Sequence, residues 1–565
     1  MSIKKIWESF TADPVKLFFF FIAVNLVPTL GLLVTEPLDG WGKVILFLFP
    51  VGVYALLFSV LRNPGLTQLI LIPLLIIHAF QIVVFYLFGE EVIAVDMFLN
   101  VLTTNANEAG EVLGGVLLAV VFVILVYIPA IGIAIGAYRR KTNLSRRFRM
   151  WSAAAGAALV FGSVLLRPVA HNLNTGRFTL HEDAYPANVF YNLNYARQKW
   201  LRSRDYPETS RNFTFNAVKT DTASGREIYV LVIGETGRAD NWGLYGYERS
   251  TTPLLQQDTN IVVIRDALTQ SNTTHKSVSI MLTPASAENY EQIYEQKSIL
   301  TAFREAGFTT VFLSNQSANR TFTDYFGQEA DHISYYRYST ETTNNHDDVL
   351  LDELERLLDT TEQNLFVVLH TYGSHFKYTE RYPEEFSVFV PDRFSRVSRS
   401  QRDILLNAYD NTIRYTDHIL HRLTGILQAT GSCTAFFYTS DHGEDIMDDR
   451  NGRFLHASPN PSYYQLRIPM LLWFSPLYRE NFPGRVEQAV RNRNQPVSTN
   501  AIFHTVLDMA AVKTQYLNPA RSLVGSRFEA AERMYLTDHD KPIPFHRAGL
   551  KPEDRDLIRK NNLAY

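Results

Sequence analysis

Five long stretches almost without charge lie within the first 170 residues, and they constrain the fold more than any other feature. Their only acidic, basic or histidine side chain is His78. The stretches are Leu17–Thr35, Val44–Leu61, Gly65–Gly89, Val112–Tyr138 and Met150–Leu166. A helix needs about 20 apolar residues to cross a bilayer, and five such stretches in succession argue against a soluble core or a cleaved signal peptide. The sequence predicts a transmembrane domain of five helices over residues 1–169.

The distribution of basic residues predicts the orientation of these spans. Lys4 and Lys5 precede the first stretch, Arg62 lies between the second and third, and six Lys or Arg residues lie between 139 and 149. The loop 90–111 carries five acidic residues and neither Lys nor Arg. Because basic residues mark the cytoplasmic side, we expect a cytoplasmic N-terminus. After five spans, everything from about residue 170 lies outside the cell's cytoplasm.

The pattern changes after residue 226, where short apolar runs alternate with amphipathic segments. The runs that predict buried strands are Ile228–Ile233, Thr309–Leu313, Leu365–Leu369 and Thr434–Thr439. The segments that predict helices are Ser298–Ala306, Asp347–Leu358 and Gln401–Leu427. Such alternation is typical of an α/β domain with a mainly parallel sheet and helices on both faces, here over residues 227–565. Residues 170–226 are interpreted as a connector at the membrane interface.

Composition excludes one class of partner and one source of stability. The net charge of −3 argues against binding of nucleic acid, which requires a clustered basic surface. Cys433 is the single cysteine, so no intramolecular disulfide can form.

Polar residues follow the predicted strands at the edge of the sheet where ligands collect. Glu235 follows the first strand, His370 and His375 the third, and the pair Asp441-His442 the fourth. Carboxylate and imidazole groups suit zinc, and three protein ligands leave one position open for a hydroxyl, which would lose its proton more easily there. Residues 270–277 are rich in hydroxyls. Taken alone, however, such a cluster is more often a polar turn, and an Asp-His pair is more often structural.

Six motifs in order carry a resemblance to a known family. They are Ile233–Asn241 (IGETGRADN), Tyr247–Leu255 (YERSTTPLL), Ser271–Thr283 (SNTTHKSVSIMLT), Leu369–Pro383 (LHTYGSHFKYTERYP), Tyr409–Ile413 (YDNTI) and Ser440–Asp445 (SDHGED). Over nearly its whole length the chain resembles the lipopolysaccharide phosphoethanolamine transferases, of the alkaline phosphatase and sulfatase superfamily. The segment Phe454–Gln465 (FLHASPNPSYYQ) is most similar to the branch that modifies core heptose.

The resemblance implies a role for each matching residue. The implied zinc ligands are Glu235, Asp441, His442 and the nucleophile Thr274, with Thr273 as an alternative one residue away. The residues implied to hold a second metal or the substrate phosphate are His375, His456, His370 and Arg320. The residues implied to bind the donor are Asn100, Thr104 and Glu108, which share one face of a helix. Without the resemblance, that face would be interpreted as a solvated polar surface.

The resemblance also implies an activity. Phosphatidylethanolamine would donate phosphoethanolamine to Thr274, releasing diacylglycerol, and a lipopolysaccharide acceptor would then take the group on core heptose or lipid A. The implied cofactor is Zn²⁺, with a second ion as an open alternative. The implied location is the bacterial cell inner membrane, with the catalytic domain in the periplasm. The sequence leaves the oligomeric state open and favours a monomer.

Three other functions remain open at this point. The first is a membrane-tethered zinc phosphatase or sulfatase, although residues 271–277 lack the C/S-x-P-x-R pattern of sulfatases. The second is a glycerol-phosphate transferase similar to lipoteichoic acid synthase. The third is a membrane sensor without catalytic activity.

Overall fold

The computed structural model describes residues 12–88, 92–103, 116–173, 176–318, 321–337, 346–395, 397–450 and 452–564. The chain forms two compact units. One contains the described residues of 1–98, 106–197 and 450–453, and the other contains those of 99–105, 198–449 and 454–565. The boundary at 197/198 falls inside the segment that the sequence suggests is a connector.

The first unit is built from helices. They are α1 (Pro14–Asn25), α2 (Val27–Thr35), α3 (Gly40–Val60), α4 (Pro64–Ile70), α5 (Ile72–Phe88), the first part of α6 (Val95–Thr103), α7 (Leu117–Arg139), α8 (Arg146–Leu166), α9 (Leu180–Asp183) and the first half of α10 (Ala187–Thr209). Within the described residues, α3, α7 and α8 are each long and apolar enough to cross a membrane. The count rises to five if the pairs α1–α2 and α4–α5, bent by 42° and 62°, each form one span.

Small residues and capping side chains explain how these helices start and pack. Asp13 caps α1 by accepting from the backbone N–H groups of Val15 and Lys16. Where α3 crosses α8, a Cβ atom on Gly52 would lie 2.8 Å from the carbonyl oxygen of Gly156. Only glycine allows the two backbones to approach this closely, as in other membrane helix pairs.

His78, the one histidine within the apolar stretches, is fully buried. Its Nε2 atom lies 3.2 Å from the Tyr54 hydroxyl and its Nδ1 atom 2.5 Å from the Tyr185 hydroxyl. Hydrogen bonds at both ring nitrogens satisfy the polar groups of His78 in its buried, apolar surroundings.

The second unit is centred on a mixed sheet of seven strands. In spatial order they are β3 (Ile261–Val263), β11 (Met470–Phe474), β8 (Cys433–Ser440), β2 (Glu227–Gly234), β7 (Leu365–His370), β5 (Thr309–Ser314) and β6 (His332–Tyr335). The smaller pairings join β1 (Val218–Lys219) to β13 (Val512–Lys513), β4 (Asp266–Leu268) to β12 (Pro496–Ser498), β9 (Asp445–Ile446) to β10 (Phe454–Leu455) and β14 (Met534–Leu536) to β15 (Pro542–Pro544).

The predicted α/β class is confirmed, and four of the six pairings in the large sheet are parallel. The exception is β11, which is antiparallel to both neighbours and was not predicted. All eight residues of β2 and of β8 are buried, which explains why these strands read as continuous apolar runs.

Helices cover this sheet and complete the unit. They are α11 (Thr274–Leu282), α12 (Ile299–Glu305), α13 (Phe322–Gly327), α14 (Asp348–Thr360), α15 (Arg402–Ala429), α16 (Tyr463–Leu466), α17 (Pro476–Asn481), α18 (Pro483–Asn492), α19 (Ile502–Met509) and α20 (Pro552–Lys560). The end of α10 packs into the same core, where Tyr206 is buried and donates to Glu329 over 2.6 Å.

Candidate active site

The site lies where three neighbouring strands end. Because β2 pairs in parallel with both β7 and β8, their carboxyl ends meet at one edge of the sheet. Glu235 follows β2, and Asp441 follows β8 with its N–H bonded to the carbonyl of Gly234 over 2.9 Å. The sheet thus brings together residues that are more than 200 positions apart in the sequence.

The hydroxyl of Thr274 faces these residues from the first position of α11. Its Oγ1 atom lies 3.2 Å from His442 Nε2 and 3.5 Å from each carboxylate oxygen of Glu235. Thr273 precedes the helix, and its hydroxyl instead lies 3.2 Å from that of Ser271. Of the two threonines that the sequence leaves open, Thr274 is therefore the one whose hydroxyl contacts the Glu235–His442 pair.

The donor atoms of this cluster fit a metal ion. His442 Nδ1 donates to the carbonyl of Gly443 over 2.9 Å, so Nε2 carries a lone pair into the site. Asp441 Oδ1 accepts two backbone N–H groups, whereas Oδ2 is buried and has no hydrogen-bond partner among the described residues. That oxygen lies 3.2 Å from His442 Nε2, and Glu235 Oε1 lies 3.7 Å from the same nitrogen. Lone pairs that converge in this way suit a cation such as zinc.

Electrostatics favour the same interpretation. Burial raises the pKa of Glu235 well above its usual range, and the Asp441 carboxylate raises it further. Burial also raises the pKa of Asp441 and lowers that of His442 well below the ordinary value. Buried carboxylates so close together are unfavourable unless a positive charge lies between them. A divalent cation supplies that charge.

The loop after β7 packs against the backbone of Glu235 and fixes its position. Gly373 has φ +48°, and a Cβ atom there would lie 2.8 Å from the Glu235 carbonyl oxygen. Ser374 donates its N–H to the same oxygen over 3.0 Å. The buried Asp347 carboxylate fixes this loop by accepting from the N–H groups of Tyr372 and Gly373. The left-handed backbone and the close approach together explain the glycine at this position.

A glutamine that the sequence did not indicate also orients Glu235. Gln316 Nε2 donates to Glu235 Oε2 over 2.9 Å and to the Thr371 carbonyl over 3.1 Å. Nothing in its local sequence distinguishes Gln316, because the contact depends on the adjacent placement of β5 and β7. Outer partners of this kind fix the direction of a metal ligand.

We expect the substitution Gln316→Ala to weaken zinc binding about tenfold while leaving the fold intact. The variant removes one hydrogen bond to Glu235 without removing a ligand, so the carboxylate gains freedom to rotate. The measurement is zinc affinity by competition with a chromophoric chelator. The control is Gln257→Ala, whose amide donates, among the described residues, to the nearby Pro253 carbonyl. An equal loss of zinc affinity in both variants would contradict the assignment.

Two further histidines border the cluster. His456 can share one metal ion with Glu235 and His442, since their ligand atoms lie within 4.8 Å of one another. Its Nδ1 atom lies 3.2 Å from Glu444, which also accepts from the Tyr378 hydroxyl over 2.5 Å. Glu444 and Tyr378 lie within the motifs Ser440–Asp445 and Leu369–Pro383, but the sequence assigned no role to either residue.

The remaining predicted site residues lie farther out or outside the described chain. The ring of His375 is 6.5 Å from that of His456, and its Nδ1 atom donates to the carbonyl of Phe376. His370 is buried, with Nδ1 3.2 Å from the Ser314 hydroxyl, and burial lowers its pKa to about 4. The predicted residues Arg320, Thr104 and Glu108 lie outside the described residues, as does the side chain of Asn100.

Sequence profiles match both halves of the chain. The profile described as Sulfatase matches residues 227–512. The profile described as Phosphoethanolamine transferase EptA/EptB matches residues 51–199.

Three relatives extend these matches. Phosphoethanolamine transferase EptC of Escherichia coli K12 is 26% identical over 475 residues, 80% of this chain and 80% of that protein. The crystal structure of its periplasmic domain in complex with zinc, from Escherichia coli, aligns with TM-score 0.54 and 26% identity over 60% of this chain and 98% of that one. The Kdo(2)-lipid A phosphoethanolamine 7''-transferase of Escherichia coli K12 is 32% identical over 261 residues, 45% of each chain. The integral membrane protein EptA of Neisseria meningitidis shares the fold, with TM-score 0.71 and 23% identity over 89% of this chain and 98% of that one.

Proposed function

The chain belongs to the sulfatase family, and from this premise we propose that it is a membrane-bound, zinc-dependent transferase of phosphoethanolamine to lipopolysaccharide. The observation that carries the proposal is the contact of the Thr274 hydroxyl with Glu235 and His442. The matched N-terminal profile and the names of the relatives favour phosphoethanolamine as the transferred group.

We place the protein in the bacterial inner membrane with its catalytic domain in the periplasm. Its apolar helices and the periplasmic domain of the similar EptC support this location. The basic residues between 139 and 149 support a cytoplasmic N-terminus.

The proposed cofactor is one zinc ion held by Glu235, Asp441, His442 and the Thr274 oxygen. The unpartnered Asp441 Oδ2 and the zinc complex of the similar EptC domain support this choice. Bound zinc would lower the pKa of the threonine hydroxyl and offset the charge on the substrate phosphate. His456 and His375, with Arg320, would contact the equatorial phosphate oxygens or hold a second ion.

In the first half-reaction, Thr274 Oγ1 forms a bond to the phosphorus of phosphatidylethanolamine. The bond between phosphorus and the diacylglycerol oxygen breaks, and that oxygen takes up the proton that Thr274 releases. The proposed partners of the donor headgroup are Asn100, Thr104 and Glu108, whose carboxylate suits its ammonium group. The products of this step are diacylglycerol and a phosphoethanolamine ester on the Thr274 oxygen.

In the second half-reaction, an acceptor oxygen on lipopolysaccharide attacks the same phosphorus. The bond to Thr274 Oγ1 breaks, and the proton of the acceptor returns to the threonine. The acceptor is core heptose or a lipid A phosphate, and the protein is proposed to act as a monomer.

The proposal is tested with full-length, zinc-loaded protein, phosphatidylethanolamine vesicles and purified lipopolysaccharide. We expect diacylglycerol release together with a mass gain of one phosphoethanolamine on the lipopolysaccharide. Mass spectrometry after mild acid cleavage separates lipid A from core and identifies the acceptor. Release of free phosphoethanolamine without a modified acceptor would indicate a hydrolase and would overturn the proposal.

A further inference from the structure

His456, proposed above to contact substrate phosphate, lies on a strained stretch of backbone. The residues on either side of it, Leu455 and Ala457, have φ +70° and +65°. Residues with a side chain disfavour this left-handed region, so both adopt it only where neighbouring contacts hold them. The imidazole of His456 lies against the proposed zinc ligand His442, with 4.1 Å between the two ring centres. The contacts that hold the strained backbone therefore determine where this imidazole meets the site.

Asn272 holds the backbone after His456 from the segment that carries the nucleophile. Its carbonyl accepts the N–H of Ala457 over 3.2 Å, and its Nδ2 atom donates to the carbonyl of Ser458 over 2.8 Å. Asn272 is buried and lies two residues before Thr274. The histidine segment and the nucleophile segment are therefore joined by direct hydrogen bonds, although they are far apart in the sequence.

Gln465 holds the backbone before His456. Its Nε2 atom donates to the carbonyl of Leu455 over 3.4 Å and to the carboxylate of Asp445, the partner of Leu455 in the β9–β10 pairing, over 2.6 Å. Its Oε1 atom accepts from the Asn272 amide over 2.6 Å. The two amides, named here the amide pair Asn272–Gln465, thus bridge the backbone on both sides of the histidine.

The amide pair has one direction of hydrogen bonding. Asn272 Oδ1 accepts from the Tyr535 hydroxyl over 2.8 Å, so its Nδ2 atom faces Ser458 and Gln465. Gln465 presents its Nε2 atom to the Asp445 carboxylate, so its oxygen faces Asn272. Both amides are buried. A buried network in which donors meet acceptors throughout favours a single arrangement of its side chains.

Different contacts hold the proposed zinc ligands. Glu235 is oriented by Gln316 and by the loop after β7. Asp441 is oriented by the N–H groups of Thr236 and His442. A change in the amide pair should therefore move His456 and leave the zinc ligands in place.

We propose that Asn272 and Gln465 are positioning residues that fix His456 relative to Thr274, so that the imidazole meets a phosphate oxygen while the threonine attacks phosphorus. The inference rests on the proposed function and deepens it, because it assigns residues that set the geometry of the transfer step. One hydrogen-bonded network joins the nucleophile segment to the histidine, so a phosphate bound at the site meets both groups in one geometry.

The substitution Asn272→Asp tests this role with little change of shape. The carboxylate can still accept from Tyr535, but it places an anionic oxygen against the carbonyl of Ser458 and the Oε1 atom of Gln465. In full-length, zinc-loaded protein with saturating phosphatidylethanolamine, we expect Thr274 to gain phosphoethanolamine about 10- to 100-fold more slowly. Zinc affinity should be unchanged. The measurements are single-turnover mass spectrometry of the intact protein and competition with a chelator.

The matched control is Asn481→Asp. The Asn481 amide also donates to a backbone carbonyl, that of Leu477, and its oxygen accepts from the N–H of Ser224. Ser224 precedes β2, so this asparagine lies at the edge of the sheet opposite the site. We expect the control to react at the rate of the unaltered protein. An equal fall in rate in both variants, or a loss of zinc from Asn272→Asp, would overturn the proposal.

Removing the histidine shows whether the amide pair acts through it. In a His456→Ala protein the imidazole is absent, so adding Asn272→Asp should slow the reaction no further. Gln465→Ala should likewise slow the unaltered protein and have no added effect in the His456→Ala protein. If either substitution caused the same further fall in the His456→Ala protein as in the unaltered one, the pair would act elsewhere and the proposal would be wrong.

Hydrogen exchange tests the inference independently of the proposed function. Without substrate, the amides of residues 454–458 in Asn272→Asp should exchange at least about tenfold faster than in the unaltered protein, because the strained backbone loses its partners. The amides of β2 and β8 should keep their protection, which shows that the domain stays folded. Unchanged exchange at residues 454–458 would refute the role of the pair. If the unaltered protein formed no adduct with phosphatidylethanolamine, the proposed function would fail, and this measurement would still decide whether the pair holds the histidine.

Discussion

Replacing Thr274 with alanine is expected to reduce phosphoethanolamine transfer by at least about 1,000-fold. The variant lacks the oxygen proposed to form the bond to phosphorus, and no other hydroxyl among the described residues stands in the same contact with Glu235 and His442. Intact-protein mass spectrometry should find one added phosphoethanolamine on the unaltered protein after incubation with phosphatidylethanolamine alone. The alanine variant should remain unmodified while keeping its bound zinc.

The matched control is Thr273→Ala, one residue earlier. The Thr273 hydroxyl lies 3.2 Å from the Ser271 hydroxyl, and its side chain makes no capping bond to α11. We expect this variant to keep most of its activity and its covalent adduct. An inactive Thr273→Ala with an active Thr274→Ala would reverse the assignment of the nucleophile.

Replacing Asp441 with asparagine is expected to remove zinc and with it the activity. The amide has nearly the same shape as the carboxylate, and its oxygen can still accept the N–H groups of Thr236 and His442. It lacks the second charged oxygen, so we expect zinc affinity to fall by more than about 100-fold. The measurements are metal content by mass spectrometry and zinc affinity by competition.

The stability of the metal-free proteins provides a second readout for Asp441→Asn. Burial raises the pKa of both Asp441 and Glu235, so removing one carboxyl relieves an unfavourable pair when no zinc is bound. The metal-free variant should unfold at a temperature no lower than that of the metal-free unaltered protein, and added zinc should not raise it. The control is Asp417→Asn, which changes a buried carboxylate that accepts hydrogen bonds from the backbone N–H groups of Leu254 and Leu255. This variant should retain zinc. Full zinc binding by Asp441→Asn would refute the ligand assignment.

The strands and the core of the candidate site were predictable for a physical reason. A strand buried on both faces is mainly apolar, so the central residues of β2 and β8 stand out as apolar runs. Parallel strands end at the same edge of a sheet, so polar residues that follow them must meet. The sequence alone therefore groups Glu235, Asp441 and His442 at one edge of the sheet.

The parts that were not predicted depend on contacts between distant segments. Gln316 acts through Glu235, and no local pattern separates it from a surface residue. Glu444 lies in the motif Ser440–Asp445, but its contact with His456 depends on the fold. The strand β11 is apolar like its neighbours, but its reversed direction is fixed only by pairing with β8 and β3. Similarly, Tyr206 lies in a polar segment, and only the folded unit reveals that it is buried.

The burial of Tyr206 determines where the catalytic unit can be separated from its spans. Its ring packs against Phe322 and Phe326, and its hydroxyl bonds to the buried Glu329 carboxylate. A soluble fragment that begins at residue 227 would lose this side chain, open a cavity in the core and leave the carboxylate without its phenol. A fragment that begins at residue 198 retains the Tyr206 side chain and its hydrogen bond to Glu329. A protease that cuts after Tyr206 and before residue 227 would thus remove this side chain from the catalytic unit and leave a cavity in its core, so the released domain should aggregate.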